Sequence, residues 1–246
     1  MDLIKEWKKE GRTLSSGWDF SHLKNRMIEE KPPWSYSLLS KRLIRKSKAV
    51  LDMGTGGGEI FSSFAPFPVH AVATEGYGPN YNVAKKRLEP LRIKVVKFSN
   101  SLTRRMPFKD DEFDLILNRH DAFNSKEVHR ILRNNGTFLT QQVEKSNLED
   151  LMKVFGTKPK WNNSFELTKR NLIKSGFKIK ISKEWKGNVV FKDVGAIVYL
   201  LKSAPWIVEG FGVEKNLHQL LMLQDRIDKK GDLVFTQSKF LIKASK

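Results

Sequence analysis

Residues 49–59 read A-V-L-D-M-G-T-G-G-G-E: an apolar run, one aspartate, then four glycines in five positions. A short apolar run bounded by glycine reads as a buried strand. The glycines give up side chains where that strand turns toward a helix starting at Glu59. Gly54 permits a sharp turn, and Gly56 and Gly58 leave room for a ligand to touch the backbone. A helix N-terminus follows, and its first N–H groups are free to meet a ligand. By itself, D-x-G-x-G-x-G marks either a phosphate loop or a tight turn.

Outward from this stretch, strands alternate with helices as a parallel sheet requires. Strands are predicted at 49–53, 69–74, 93–98, 113–117, 137–143, 177–181 and 239–244. Helices are predicted at 35–46, 59–64, 80–88, 125–133 and 165–175, several of them closed by Pro66, Pro90 or Gly176. Asn134-Asn135-Gly136 reads as a C-cap and turn. More than 50 residues separate the last two strands, and they include a helix near 214–229 with Leu217, Leu220, Leu221 and Ile227 on one face. We expect a single domain over 1–246: an N-terminal helical cap at 1–46, a cofactor-binding core at 47–145, and a C-terminal half at 146–246 with an inserted lid at about 188–230.

Glu75 ends the second strand, 23 positions after Asp52. In dinucleotide folds an acid about 20 residues beyond the glycines accepts hydrogen bonds from ribose hydroxyls. The spacing therefore points to a nucleoside. Glu59 stands where a phosphate-binding loop would continue with lysine, and a carboxylate there repels a pyrophosphate. NAD and ATP are disfavoured on that ground.

Four stretches carry a family likeness in order: V-L-D-M-G-T-G-G-G-E, A-V-A-T-E-G-Y, M-P-F-K-D-D-E-F-D-L-I-L-N and E-V-H-R-I-L-R-N-N-G-T-F-L. Over residues 47–145 the chain resembles the class I S-adenosylmethionine-dependent methyltransferases, in particular the small type 11 domains. The resemblance implies a Rossmann-like sheet of seven strands, mostly parallel, flanked by helices and with its last strand antiparallel. It also implies S-adenosylmethionine as cofactor. Asp52 and the backbone at Gly54 and Gly56 would then lie by its methionine moiety, Thr55 and Gly58 would belong to the same cofactor site, Glu75 would take the ribose hydroxyls, and Gly76 and Tyr77 would flank the adenine. The family often has an acid after the third strand; this chain has Ser99-Asn100-Ser101, so Asn100, Ser101 or a backbone carbonyl would take the adenine amine. Asn118 would face the methyl group.

Methyl transfer from a sulfonium needs orientation and, for some acceptors, a base. Asn118-Arg119-His120-Asp121 is the richest polar stretch at a strand's carboxyl end, where ligands bind in this architecture. His120 is the candidate base, with a structural histidine as the rival reading; Arg119 could grip an anion or serve a surface ion pair. The chain has no cysteine, which excludes covalent C5 methylation of pyrimidines, cysteine-bound clusters and thiolate metal sites. No metal is expected.

Gly17 to His22 and Phe191 to Phe211 are aromatic and lie outside the common fold, so Trp18, His22, Tyr199 and Trp206 are candidate acceptor-binding residues. A small-molecule acceptor is expected. The net charge of +18 keeps an RNA acceptor as the alternative. The longest apolar run has eight residues, Val194 to Leu201, and the first residues have no apolar leader, so a cytoplasmic protein is expected.

Overall fold

The computed structural model describes residues 2–13 and 20–246. Trp18 lies outside the described residues. In chain order they form α1 (Leu3–Glu10), β1 (Met27–Glu29), α2 (Tyr36–Ile44), β2 (Ala49–Met53), α3 (Glu59–Ser62), β3 (His70–Glu75), α4 (Gly78–Leu88), β4 (Lys94–Lys97), β5 (Phe113–Arg119), α5 (Ser125–Ile131), β6 (Leu132–Val143), α6 (Glu149–Val154), α7 (Phe165–Lys174), β7 (Lys178–Phe191), α8 (Val194–Ser203), α9 (Leu217–Lys230) and β8 (Leu233–Ser245).

The chain divides into two compact units. The larger comprises Pro33–Glu144, Asn163–Glu184 and Lys239–Lys246, and the smaller Met1–Pro32, Lys145–Asn162 and Trp185–Ser238. In the larger unit β2 lies parallel between β3 and β5, β4 pairs with β3, and β6 with β5. β8 runs antiparallel to β6, as expected of the last strand. The order reverses at β2: the chain moves outward to β3 and β4, then returns to β5 on the other side. Such a reversal opens a crevice at the strands' carboxyl ends, where ligands bind in open α/β sheets.

Burial explains why β2 reads as an unbroken apolar run. Both faces of the sheet are covered. Ala49, Leu51 and Met53 enter one apolar cluster with Phe113, Phe138 and Phe240; Val50 enters the other with Phe61, Leu117 and Leu139. Side-chain caps fix the helix starts: Ser35 accepts from Leu38 N, Asn124 from Lys126 N, and Ser164 from Leu167 N.

The sheet has eight strands where the sequence predicts seven. The addition is β1, which pairs antiparallel with β7, Met27 against Phe191, in the stretch expected to be a helical cap. Three residues, one of them charged, are too few to show an alternation. β7 continues to Phe191 where a strand ending at 181 is predicted, and β8 begins at Leu233 rather than 239. The prediction ends at 181 because Lys183, Glu184 and Lys186 follow. Charged residues of this kind suit a strand flanked by β1 only across Val189–Phe191.

In the smaller unit α8 is buried on all sides from Val194 to Leu201, capped by Asp193, and packs in one cluster with Trp7, Phe191, Phe211 and Leu220. Among the described residues, no helix is long and apolar enough to cross a membrane.

Candidate functional site

Three carboxylates converge on the glycine loop in the larger unit. Gly54, Gly56 and Gly58 all have positive φ, at 66°, 63° and 79°, a region open to glycine and strained for other residues. The loop is tied to β3, because Thr55 N donates to Thr74 O at 2.9 Å and Gly54 N to Thr74 Oγ1 at 3.3 Å. Its second tie is Glu75. Gly56 N donates to Glu75 Oε2 at 2.8 Å and Tyr77 N to Oε1 at 2.7 Å. Each oxygen keeps acceptor capacity beyond these bonds. Burial raises the Glu75 pKa, and the two backbone N–H groups oppose the rise.

Asp52, the one charged residue in β2, is buried. Burial pushes its carboxyl up to about 7, Asp121 and Glu75 push the same way, and Thr55 and Arg119 oppose them. The Thr55 hydroxyl is buried beside it without a full hydrogen bond of its own.

Asp121 is the residue that the sequence reading quotes and leaves without a role. A Cβ on Gly54 would collide with its carboxylate. Asn100 Nδ2 donates to Asp121 Oδ2 at 2.5 Å and Ala122 N to Oδ1 at 2.9 Å, while burial raises its pKa. Asn100 Oδ1 is left buried and unpaired among the described residues. Ser101 does other work: its hydroxyl accepts from Thr103 N and Arg104 N and ties its own loop. Gly76 lies so close to Ser99 that any side chain would clash, and Tyr77 is 65% exposed beside it.

Asn118 pairs in register with Met53 and is fully buried. Its Oδ1 accepts from Gln142 Nε2 at 2.5 Å and from Thr140 Oγ1 at 2.9 Å. Gln142 Nε2 also donates to the Asp121 carbonyl at 2.9 Å, which identifies it as the nitrogen and Asn118 Oδ1 as the oxygen. Asn118 Nδ2 is thus a buried donor without a partner among the described residues. On β5, Arg119 follows, and its side chain forms no hydrogen bond or ion pair among the described residues. His120 sits at φ 58°, with its backbone N on Gln141 O at 2.9 Å. His120 is exposed at the surface, yet desolvation by the surrounding protein, then Arg119 and Lys239, hold its pKa well below the ordinary histidine value.

Of the candidate acceptor residues, His22, Tyr199 and Trp206 fall in the smaller unit, and Tyr199 is buried in its core. The His22 and Tyr199 rings lie 4.5 Å apart, and His22 Nε2 is 2.7 Å from Glu10. Trp206 is 51% exposed. Glu59, taken from the sequence as a repulsive charge at the loop, is ion-paired with Arg87 of α4, which also donates to Gly57 O. A reading of the sequence cannot see that compensation, because Arg87 looks like part of a solvated Lys85-Lys86-Arg87 run.

The shifted Asp52 has a testable consequence. A free aspartate titrates near 3.9, so between about 4 and 7 the folded state holds a proton that the unfolded state lacks, and this carboxyl makes stability fall as pH rises through that window. Asp52→Asn removes its share of the fall; Glu75 and Asp121, shifted the same way, keep theirs. We expect the variant to gain stability over wild type at pH 8 and little at pH 4, measured as denaturation midpoints across pH. Equal gains at both ends would refute the buried-acid assignment.

Residues 51–140 match a family model described as a methyltransferase domain. Over 102 residues the chain is 28% identical to the uncharacterized methyltransferase YcgJ of Bacillus subtilis (strain 168), covering 39% of this chain and 40% of that protein. The chain thus spans less than half the length of the curated relative it matches. Among solved structures, YcgJ of Bacillus subtilis superposes with a TM-score of 0.58 at 16% identity, over 85% of this chain and 97% of that one. A functionally unknown protein from Deinococcus radiodurans R1 gives 0.60 at 14%, over 89% and 90%. At such identities these structures speak for the fold. The matched stretch spans the glycine loop, Glu75, Asp121 and the strands that carry them, so over these residues the chain is similar to a methyltransferase domain.

Proposed function

We propose that this protein transfers a methyl group from S-adenosylmethionine to an oxygen or nitrogen atom of a small-molecule acceptor. The observation that carries the reading is the Glu75 carboxylate, buried at the end of β3 and aimed by Gly56 N and Tyr77 N. Two adjacent ribose hydroxyls want two acceptor oxygens, and Glu75 supplies them.

The remaining residues fit the same cofactor. Asp52 and Asp121 lie by the glycine loop with raised pKa values, so a cationic ligand would favour their charged forms, while a phosphate group would meet three carboxyl groups there. Asn100 Oδ1, buried and unpaired, is an acceptor suited to an adenine amine. Gly76 and Tyr77 would flank the base. When bound, S-adenosylmethionine supplies a methyl carbon on a positively charged sulfur, which leaves as a neutral thioether. The protein's part is to orient and to exclude water. Asn118 Nδ2, Arg119 and His120 form the acceptor side at the end of β5. We extend the acceptor role to Trp18, His22 and Trp206, and the aromatic content of residues 17–22 and 191–211 supports it; Tyr199, buried within α8, does not share it. The site of action is proposed to be the cytoplasm.

A second reading, an RNA base or ribose as acceptor, is favoured by the net charge of +18 and by the exposed Lys94, Lys97, Arg104 and Arg105 on and after β4. One experiment separates the two. Tritiated S-adenosylmethionine is incubated with the protein and with the small-molecule or the RNA fraction of a cell extract. Label is expected in the small-molecule fraction, and binding of structured RNA should change by less than about tenfold between about 50 and 200 mM salt. Label in RNA, with a steeper salt dependence, would make RNA the substrate.

A further inference from the structure

Two side chains that sequence reading passes over fix the chemistry of His120. Trp34 precedes α2, and its indole N–H meets Gln141 Oε1 at 2.9 Å. An indole nitrogen only donates, so the Gln141 atom facing it is the carbonyl oxygen. The other end of that carboxamide is then the NH2 group, 3.2 Å from His120 Nε2. An NH2 group also only donates, so Nε2 is the accepting, unprotonated nitrogen. The ring is neutral, since burial, Arg119 and Lys239 all oppose a second proton. Its one proton is therefore on Nδ1, which has no partner among the described residues.

We propose that Trp34 and Gln141 are positioning residues that lock His120 in the Nδ1–H tautomer, and that His120 meets the methyl acceptor as a hydrogen-bond donor and not as its base. The second half rests on reading the carboxyl end of β5 as the methyl-transfer site. The only basic nitrogen of the ring is already occupied by Gln141 Nε2. Arg119 precedes it in the chain; its charge acts on His120 and on Asp52, and its guanidinium makes no side-chain hydrogen bond or ion pair among the described residues. An N–H donor and a cation on consecutive residues fit an oxyanion, such as a carboxylate. Such an acceptor needs no base. A lone pair on its oxygen forms the new O–C bond, the pair of the breaking C–S bond goes to sulfur, and the positive charge there is cancelled. No proton changes hands.

The tautomer is measurable without turnover. Two-bond 1H–15N correlation spectra of 15N-labelled protein at about pH 7.5 distinguish Nδ1–H from Nε2–H, and His120→Gln assigns the signal among the five histidines. We expect His120 as a single Nδ1–H form. In Trp34→Phe the carboxamide is free to turn over, and in Gln141→Leu the donor to Nε2 is gone; both should show mixed tautomers while S-adenosylhomocysteine still raises the melting temperature. An Nε2–H ring in the wild type overturns the proposal. A single Nδ1–H form persisting in both variants overturns the positioning role. If S-adenosylhomocysteine fails to bind, the function proposed above fails, and the tautomer lock is judged separately by the spectra.

Discussion

Replacing Glu75 with alanine should weaken S-adenosylhomocysteine binding by about 2–4 kcal/mol, roughly 30- to 1,000-fold. Two losses add up. The ribose hydroxyls lose two charge-assisted hydrogen bonds. Gly56 N and Tyr77 N lose their acceptor, and the loop loses its tie to β3. The effect on folding is smaller, because removing a carboxylate whose burial raises its pKa relieves desolvation while two backbone N–H groups go unpaired. Glu75→Gln divides the two roles. It keeps one oxygen but turns an NH2 toward one backbone N–H, so it should bind between wild type and alanine. Isothermal calorimetry on the three proteins decides the matter: an unchanged affinity in the alanine variant would sink the ribose assignment and, with it, the observation on which the proposed function stands.

The fold was legible because burial on both faces of a parallel sheet leaves few choices. β2, β3 and β5 read as apolar runs since both sides of each strand meet core. The glycine loop and the place of Glu75 against it were legible because both positions are set by backbone geometry and chain spacing. What remained hidden depended on neighbours distant in sequence. Asp121 is an ordinary acid until Gly54, 67 positions earlier, is found against it. Gln141 and Gln142 look like solvent-facing polar residues after an apolar run. One holds His120 and the other turns Asn118, and both tasks exist only once β6 lies beside β5. Arg87 likewise becomes a loop contact only when α4 packs behind the glycines. β1 was invisible for a different reason: its pairing partner, not its own pattern, makes it a strand.

The largest effect is expected at Gly56. Valine there should bring S-adenosylhomocysteine binding below detection by calorimetry. Gly56 sits at φ 63°, where a β-branched side chain costs about 1–2 kcal/mol or more. Its N–H must still reach Glu75 at 2.8 Å, so the backbone cannot relax without releasing the carboxylate. A side chain would also project where the ligand is proposed to touch backbone. Strain alone could lower binding by loosening the protein, and a matched control removes that reading. Gly231 follows α9 in the smaller unit at φ 81°, and a Cβ there meets nothing within 4 Å. Gly231→Val therefore carries the same kind of backbone strain without proximity to the loop. Both variants should melt a few degrees below wild type, on the order of 2–4 °C per kcal/mol for a chain of this size. Only Gly56→Val should lose the ligand. If it binds as wild type does, the glycines serve the turn alone and the cofactor lies elsewhere. If both variants lose binding equally, strain and not shape is responsible, and the loop's contact with the ligand is refuted.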